Sequence, residues 1–205
     1  MGFIGFTHIG SIMSPLNLLN RWLERNRIMF EVDDAGGGCF IGPEVLVIHH
    51  VESGRYWYYY IPPHIHERVG YATKLLKEAF LELAISKADP VRLCRGEIFD
   101  PFENYLLEQG YQVVREKVSE KTDKLAETGF NEVLYSYGLP RNVTLEGRNY
   151  YEFYTLVSCW YYSQPQHLVG KIRKKRLKEA APFWTKKLAR KYPNLVRLLI
   201  EKEVG

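Results

Sequence analysis

The chain has 205 residues, 46% hydrophobic and 25% charged, the balance of a folding globular chain rather than a disordered or fibrous one. No apolar run reaches the roughly 18 residues that cross a bilayer, because the apolar start is interrupted by His8, Ser11, Ser14 and Pro15, so no membrane span is expected. The net charge of +4 is uneven: from Gln166 onward twelve Lys or Arg stand against three Glu, which leaves the rest of the chain net acidic.

The start lacks a basic leading region and a small-residue cleavage site, so no export signal is expected. Cys39, Cys94 and Cys159 are widely spaced and outside any C-x-x-C arrangement, which suggests neither a disulfide framework nor a zinc site and fits a reducing cytoplasm. Ser14-Pro15, an N-cap followed by proline, opens a short helix with Leu16, Leu19, Trp22 and Leu23 at helical spacing, and residues 1–27 read as a helical lead-in. Ile28 to Val32 is a buried strand ending at Asp33-Asp34 and the Gly36-Gly37-Gly38 turn, and Glu44 to Val51 is a second strand. Ser53-Gly54 turns the chain into Arg55 to Ile61, an aromatic third strand.

Pro62-Pro63 breaks that run, and a helix follows from about Glu67 to Ser86 on the apolar stripe Val69, Ala72, Leu75, Leu76, Ala79, Phe80 and Leu83. Val91 to Arg95 is a short strand, and Asp100-Pro101-Phe102-Glu103 has the form of a capping box for the next helix, which Gly110 closes. Tyr111 to Val118 is a fifth strand, and a helix from about Lys121 to Tyr137 stops at Gly138-Leu139-Pro140. The order is βββαβαβα over residues 28–140, an α/β class with a mixed five-stranded sheet. Residues 141–205 form an extension. Its aromatic part, Tyr150 to Tyr162, reads equally as one helix or two short strands, and its basic part as helix broken at Pro182 and Pro193.

The segment from Asp33 to Pro43, Asp-Asp-Ala-Gly-Gly-Gly-Cys-Phe-Ile-Gly-Pro, resembles the first-strand motif of type 2 ribonuclease H, Asp-Glu-Ala-Gly-Arg-Gly continuing to Gly-Pro, with Gly37 in the place of the arginine. The order of elements is likewise that of the ribonuclease H-like superfamily, including its resolvase-like members. The resemblance implies that Asp33 and Asp34 hold divalent metal, Mg²⁺ or Mn²⁺, and that backbone amides of Gly36, Gly37 and Gly38 approach a nucleic-acid backbone.

The chemistry points the same way, because two-metal hydrolysis of a phosphodiester needs carboxylates from different elements converging on one point. Glu97, after the fourth strand, is the best-placed second acid. Asp100 is its competitor, although it has an adequate explanation as an N-cap. Asp123, early in the last core helix, is the third, with Glu127 one turn later as the alternative. Adjacent acids at a strand end repel, and no structural reason for Asp33 beside Asp34 is evident from sequence. His49, His50, His64 and His66 lack a Cys or acidic partner at ligand spacing and read as ordinary polar residues. Tyr56 to Tyr60 either pack or stack bases.

Lys171, Arg173, Lys174, Lys175, Arg176 and Lys178, followed by Lys186, Lys187, Arg190 and Lys191, are interleaved with Phe183, Trp184 and Tyr192. Such clusters neutralise phosphates and release counterions, so RNA or DNA is the expected partner. Two functions follow: a metal-dependent nuclease acting on RNA–DNA hybrid or branched nucleic acid, or a non-catalytic nucleic-acid or ribosome-associated binding protein. An actin-like or sugar-kinase relative would need paired domains, for which the chain is too short.

Overall fold

A computed structural model describes residues 29–39, 41, 43–145, 150–163 and 190–194. Five strands, β1 (Phe30–Ala35), β2 (Glu44–His50), β3 (Tyr56–Ile61), β4 (Pro90–Leu93) and β5 (Gln112–Arg115), form one sheet in the order β3-β2-β1-β4-β5. β1, β2 and β3 pair antiparallel, whereas β4 runs parallel to β1 and β5 parallel to β4. This is the strand order and direction of a ribonuclease H-like fold. Among the described residues no helix is long and apolar enough to cross a membrane.

β2 is buried along its whole length because it is flanked by strands on both edges and covered on both faces. Leu46 and Ile48 join Phe30, Val32, Val91 and Leu93 on one face, against Leu76 and Phe80 of helix α1 (Arg68–Glu82) and Phe102 and Leu106 of α2 (Asp100–Glu108). Val45 and Val47 join Ala35 on the other, against Ala126, Phe130 and Leu134 of α3 (Glu120–Ser136) and Phe153, Leu156, Val157 and Trp160 of α4 (Tyr150–Ser163). The alternation of side chains along a strand thus feeds two separate cores.

Several boundaries differ from the sequence reading. β1 runs through the acidic pair to Ala35, because Asp34 and Ala35 still pair with Leu46 and Val45. α1 stops at Glu82, four residues early, since Ala84 adopts a left-handed φ of +50° and Ile85 N–H closes on the Phe80 carbonyl at 3.1 Å. The capping box at Asp100 does not form. The N-cap position of α2 is Phe99, with no side-chain cap, and Asp100 pairs with Arg115 at 2.8 Å instead. The stretch at 150–163 is one helix, and it buries its apolar side in the same core as β1, β2 and α3. The core therefore does not end at residue 140.

Candidate active site

Beyond Val32 and Leu93 the pairing of β1 with β4 ends, because the chain after β4 turns away into a short 3-10 helix, Glu97–Phe99. The opening lies at the carboxyl ends of parallel strands, where open α/β sheets form their ligand crevices. A cleft of about 690 Å³ occupies it, and Asp33, Asp34, Glu97, Asp123 and Glu127 all line it, with Gly36, Gly37 and Gly38 on one side. Acids from β1, the 3-10 turn and the start of α3 thus border one space. Asp100 is absent from that lining and is held by Arg115.

Asp33 is the buried acid of the set, 3% exposed. Burial pushes its carboxyl up from the ordinary 3.8 to about 6, and the negative charges of Asp123 and Glu31 push the same way. Hydrogen bonds from the Cys94 thiol and the Asp34 amide, the latter at 2.9 Å, oppose the rise. The Cys94 thiol, beside that carboxylate, is itself pushed up to about 12 by burial first and by Asp33 second.

Asp34 is the neighbour in sequence but not in direction. Successive strand side chains alternate, so Asp33 faces α3 while Asp34 faces Glu44 and Arg68. Burial raises the Asp34 carboxyl well above the usual range. Glu44, by charge and by a shared hydrogen bond, raises it further, and Arg68 opposes. Arg68 in turn donates from Nε to Glu44 at 2.9 Å and also from its terminal nitrogen. This supplies the structural reason that sequence reasoning lacked: the two acids serve different faces. Both residues nonetheless line the same cleft.

The glycine turn is constrained from within. Gly36 has φ +102°, and a Cβ there would lie 2.5 Å from the Phe130 ring. Its amide donates to the Tyr154 hydroxyl at 3.0 Å, so Gly36 is tied to α4 and its N–H faces the protein rather than a ligand. Gly37 and Gly38 are exposed. A Cβ on Gly37 would approach Glu44 Oε1 to 2.8 Å, so this glycine lets the turn lie over the Asp34–Glu44 pair.

Sequence reasoning missed Glu31, Glu44, Arg68, Cys94 and Arg115. Glu31 had one legible signal: two residues before Asp33 in a strand, it shares that residue's face. It is 1% exposed and accepts hydrogen bonds from Ser119, Thr122 and Arg92. Burial raises its carboxyl, but those bonds together outweigh burial and leave it below its ordinary value. Arg115 donates to the Gly96 carbonyl at 2.8 Å and so anchors the turn that carries Glu97.

The histidines behave as ordinary polar groups. His49 Nδ1 meets Thr122 Oγ1 at 2.7 Å, His50 Nδ1 meets Ser53, and His64 and His66 are exposed in a loop. Tyr58 donates to the Leu125 carbonyl at 2.8 Å and Tyr60 meets Tyr137, so these tyrosines brace α3 against the edge strand while staying partly exposed. Lys171, Arg173, Lys174, Lys175, Arg176, Lys178, Lys186 and Lys187 lie outside the described residues.

The donor set suits a hard divalent cation in type, since every acid offers oxygen. Among the described residues no three Asp, Glu, His or Cys groups stand close enough to hold one ion together. Mg²⁺ is nevertheless commonly held by one or two carboxylates with water and substrate phosphates completing the shell. Asp33 and Asp123 are near enough to interact electrostatically, and Glu97 is exposed on the same cleft.

Fold and cleft together give a five-stranded mixed sheet of ribonuclease H-like strand order with an acid-lined crevice. No protein-family model matches the sequence, and no curated protein does. Among solved structures the chain is similar to a chain of the simian T-cell lymphotropic virus intasome in complex with PP2A regulatory subunit B56 gamma, at 11% identity and a TM-score of 0.40. That match covers 71% of this chain and 51% of the other, so this chain spans about half the length of the one it matches. It is also similar to the catalytic core domain of BIV integrase, at 11% identity and a TM-score of 0.38, over 77% of this chain and 98% of that one. Strand order and direction carry the fold.

Proposed function

We propose that this chain is a divalent-metal-dependent nuclease that hydrolyses phosphodiester bonds in structured nucleic acid, an RNA–DNA hybrid or a branched substrate. One observation carries the reading: Asp33 is buried on a cleft at the carboxyl ends of parallel strands, with Glu97 and Asp123 from two other elements on the same cleft. Burying an ionised carboxylate beside other acids is costly unless a cation compensates it. Asp33 and Asp123 would hold Mg²⁺ or Mn²⁺, which when bound supplies Lewis-acid activation of a phosphoryl oxygen and of the attacking water. Glu97, on the exposed side, is the acid best able to meet the substrate, and the exposed Gly37 and Gly38 leave room for a phosphate backbone to come close. The basic stretch from Lys171 to Lys191 would bind that backbone through counterion release, without sequence preference.

The test is incubation of RNA–DNA hybrids, single strands and four-way junctions with the chain and Mg²⁺ or Mn²⁺. Cleavage of one substrate class is expected, with Asp33→Asn reducing it at least about 100-fold. No cleavage of any substrate, or cleavage indifferent to Asp33→Asn, sinks the nuclease reading. The lack of three converged ligands among the described residues favours a second reading, nucleic-acid binding without hydrolysis. Salt-dependent binding with no cleavage in the same assay selects it.

A further inference from the structure

The first turn of α3 is held by a residue from another part of the chain. In an ordinary capping box, an acid at the third helical position reaches back to the N–H of the N-cap residue. In α3 that position is Thr122, and the N-cap, Ser119, accepts from Thr122 N–H in the usual way. The Ser119 N–H donates instead to both oxygens of Glu31, at 3.1 and 3.2 Å, 88 residues away in sequence. The Ser119 and Thr122 hydroxyls donate to the same carboxylate, and Arg92 of β4 meets it at 2.6 Å. Thr122 Oγ1 also contacts His49 of β2, so one buried acid links β1, β2, β4 and α3.

A helix start needs none of this, because Ser119 alone satisfies its local capping requirement. Burying a carboxylate at 1% exposure is costly, and the best-attested return for such groups is a fixed register between elements. The register fixed here is that of α3 against β1. Glu31 lies two residues before Asp33 on the same strand face, and Asp123 follows Thr122 directly. We propose that Glu31 is a positioning residue, clamping the first turn of α3 onto β1 so that Asp123 is held opposite Asp33; its bearing on metal rests on the function proposed above.

The variant is Glu31→Gln in the full chain, read by hydrogen exchange and by calorimetric titration with Mn²⁺. Gln turns an amide donor toward a ring of donors, so amides 119–123 should exchange at least ten-fold faster while those in the middle of α1 keep their rates. Mn²⁺ affinity should fall about ten-fold, as it does when groups that orient metal ligands are removed. Should Glu31→Gln fail to fold, Thr122→Val removes one donor to Glu31 while leaving the Ser119 cap in place, and should give the same local pattern at smaller amplitude.

Unchanged exchange at 119–123, or an equal rise throughout α1, overturns the clamp. Faster local exchange with unaltered Mn²⁺ affinity overturns the positioning role. No Mn²⁺ binding by the unaltered chain overturns the metal reading itself, and the positioning role with it, whatever the exchange rates.

Discussion

Asp33 carries a stability penalty whose sign can be measured. Its carboxyl titrates near 6 in the fold against 3.8 ordinarily, so between those values the folded protein holds a proton that the unfolded chain has released. The stabilisation from that proton is complete below about pH 4 and is lost as pH rises through about 6. The metal-free protein should therefore lose stability between about pH 4 and 6.5 and change little above that. Asp33→Asn should remove this dependence and stabilise the metal-free chain at pH 8 by up to about 3 kcal/mol. Urea denaturation at the two pH values checks it, and an Asn variant less stable at pH 8 would contradict the burial argument. On the metal reading proposed above, added Mn²⁺ should reverse the trend by binding only the folded, ionised state.

At the scale of elements, each of the first three helices ends with the same double hydrogen bond around one left-handed residue. After α2 and α3 that residue is glycine, Gly110 and Gly138, which is why both ends were legible in the sequence. After α1 it is Ala84, and an alanine carries no such signal. Ala84→Gly should therefore stabilise the protein by about 1 kcal/mol in urea denaturation, with cleft chemistry untouched. The opposite is expected inside α3. Helix propensity favours Gly129→Ala by roughly 1 kcal/mol, but the new Cβ would lie 2.7 Å from the Tyr58 ring and 3.0 Å from Val45. Tyr58 is tethered through its hydroxyl to Leu125 and cannot swing aside without losing that bond, so overpacking should win and destabilise by about 1–3 kcal/mol.

For the molecule as a whole, α4 completes the second core and braces the cleft. Phe153, Leu156, Val157 and Trp160 fill the face of the sheet beside α3, and Tyr154 holds the Gly36 amide. A chain ending at residue 149 should lose cooperative unfolding, judged by its denaturation profile, because that core would be open to water. Tyr154→Phe is the milder probe: it leaves the buried Gly36 N–H without its hydroxyl partner and should cost about 1–3 kcal/mol with little change in packing.

Alternation, turn residues and helix spacing determined the element order and hence the fold, because these signals are local and each residue carries its own. The same patterns put Asp33, Glu97 and Asp123 on elements that meet at one cleft, and the glycine-rich turn beside them was plain from three consecutive glycines. Tertiary structure alone decided which partners those acids have. That Asp34 turns to Glu44 and Arg68, that Arg115 draws Asp100 out of its expected cap, and that Glu31 caps a helix 88 residues away are all contacts between distant segments. Local pattern fixes the direction in which a side chain leaves the backbone; what it meets there depends on the packing of the whole chain.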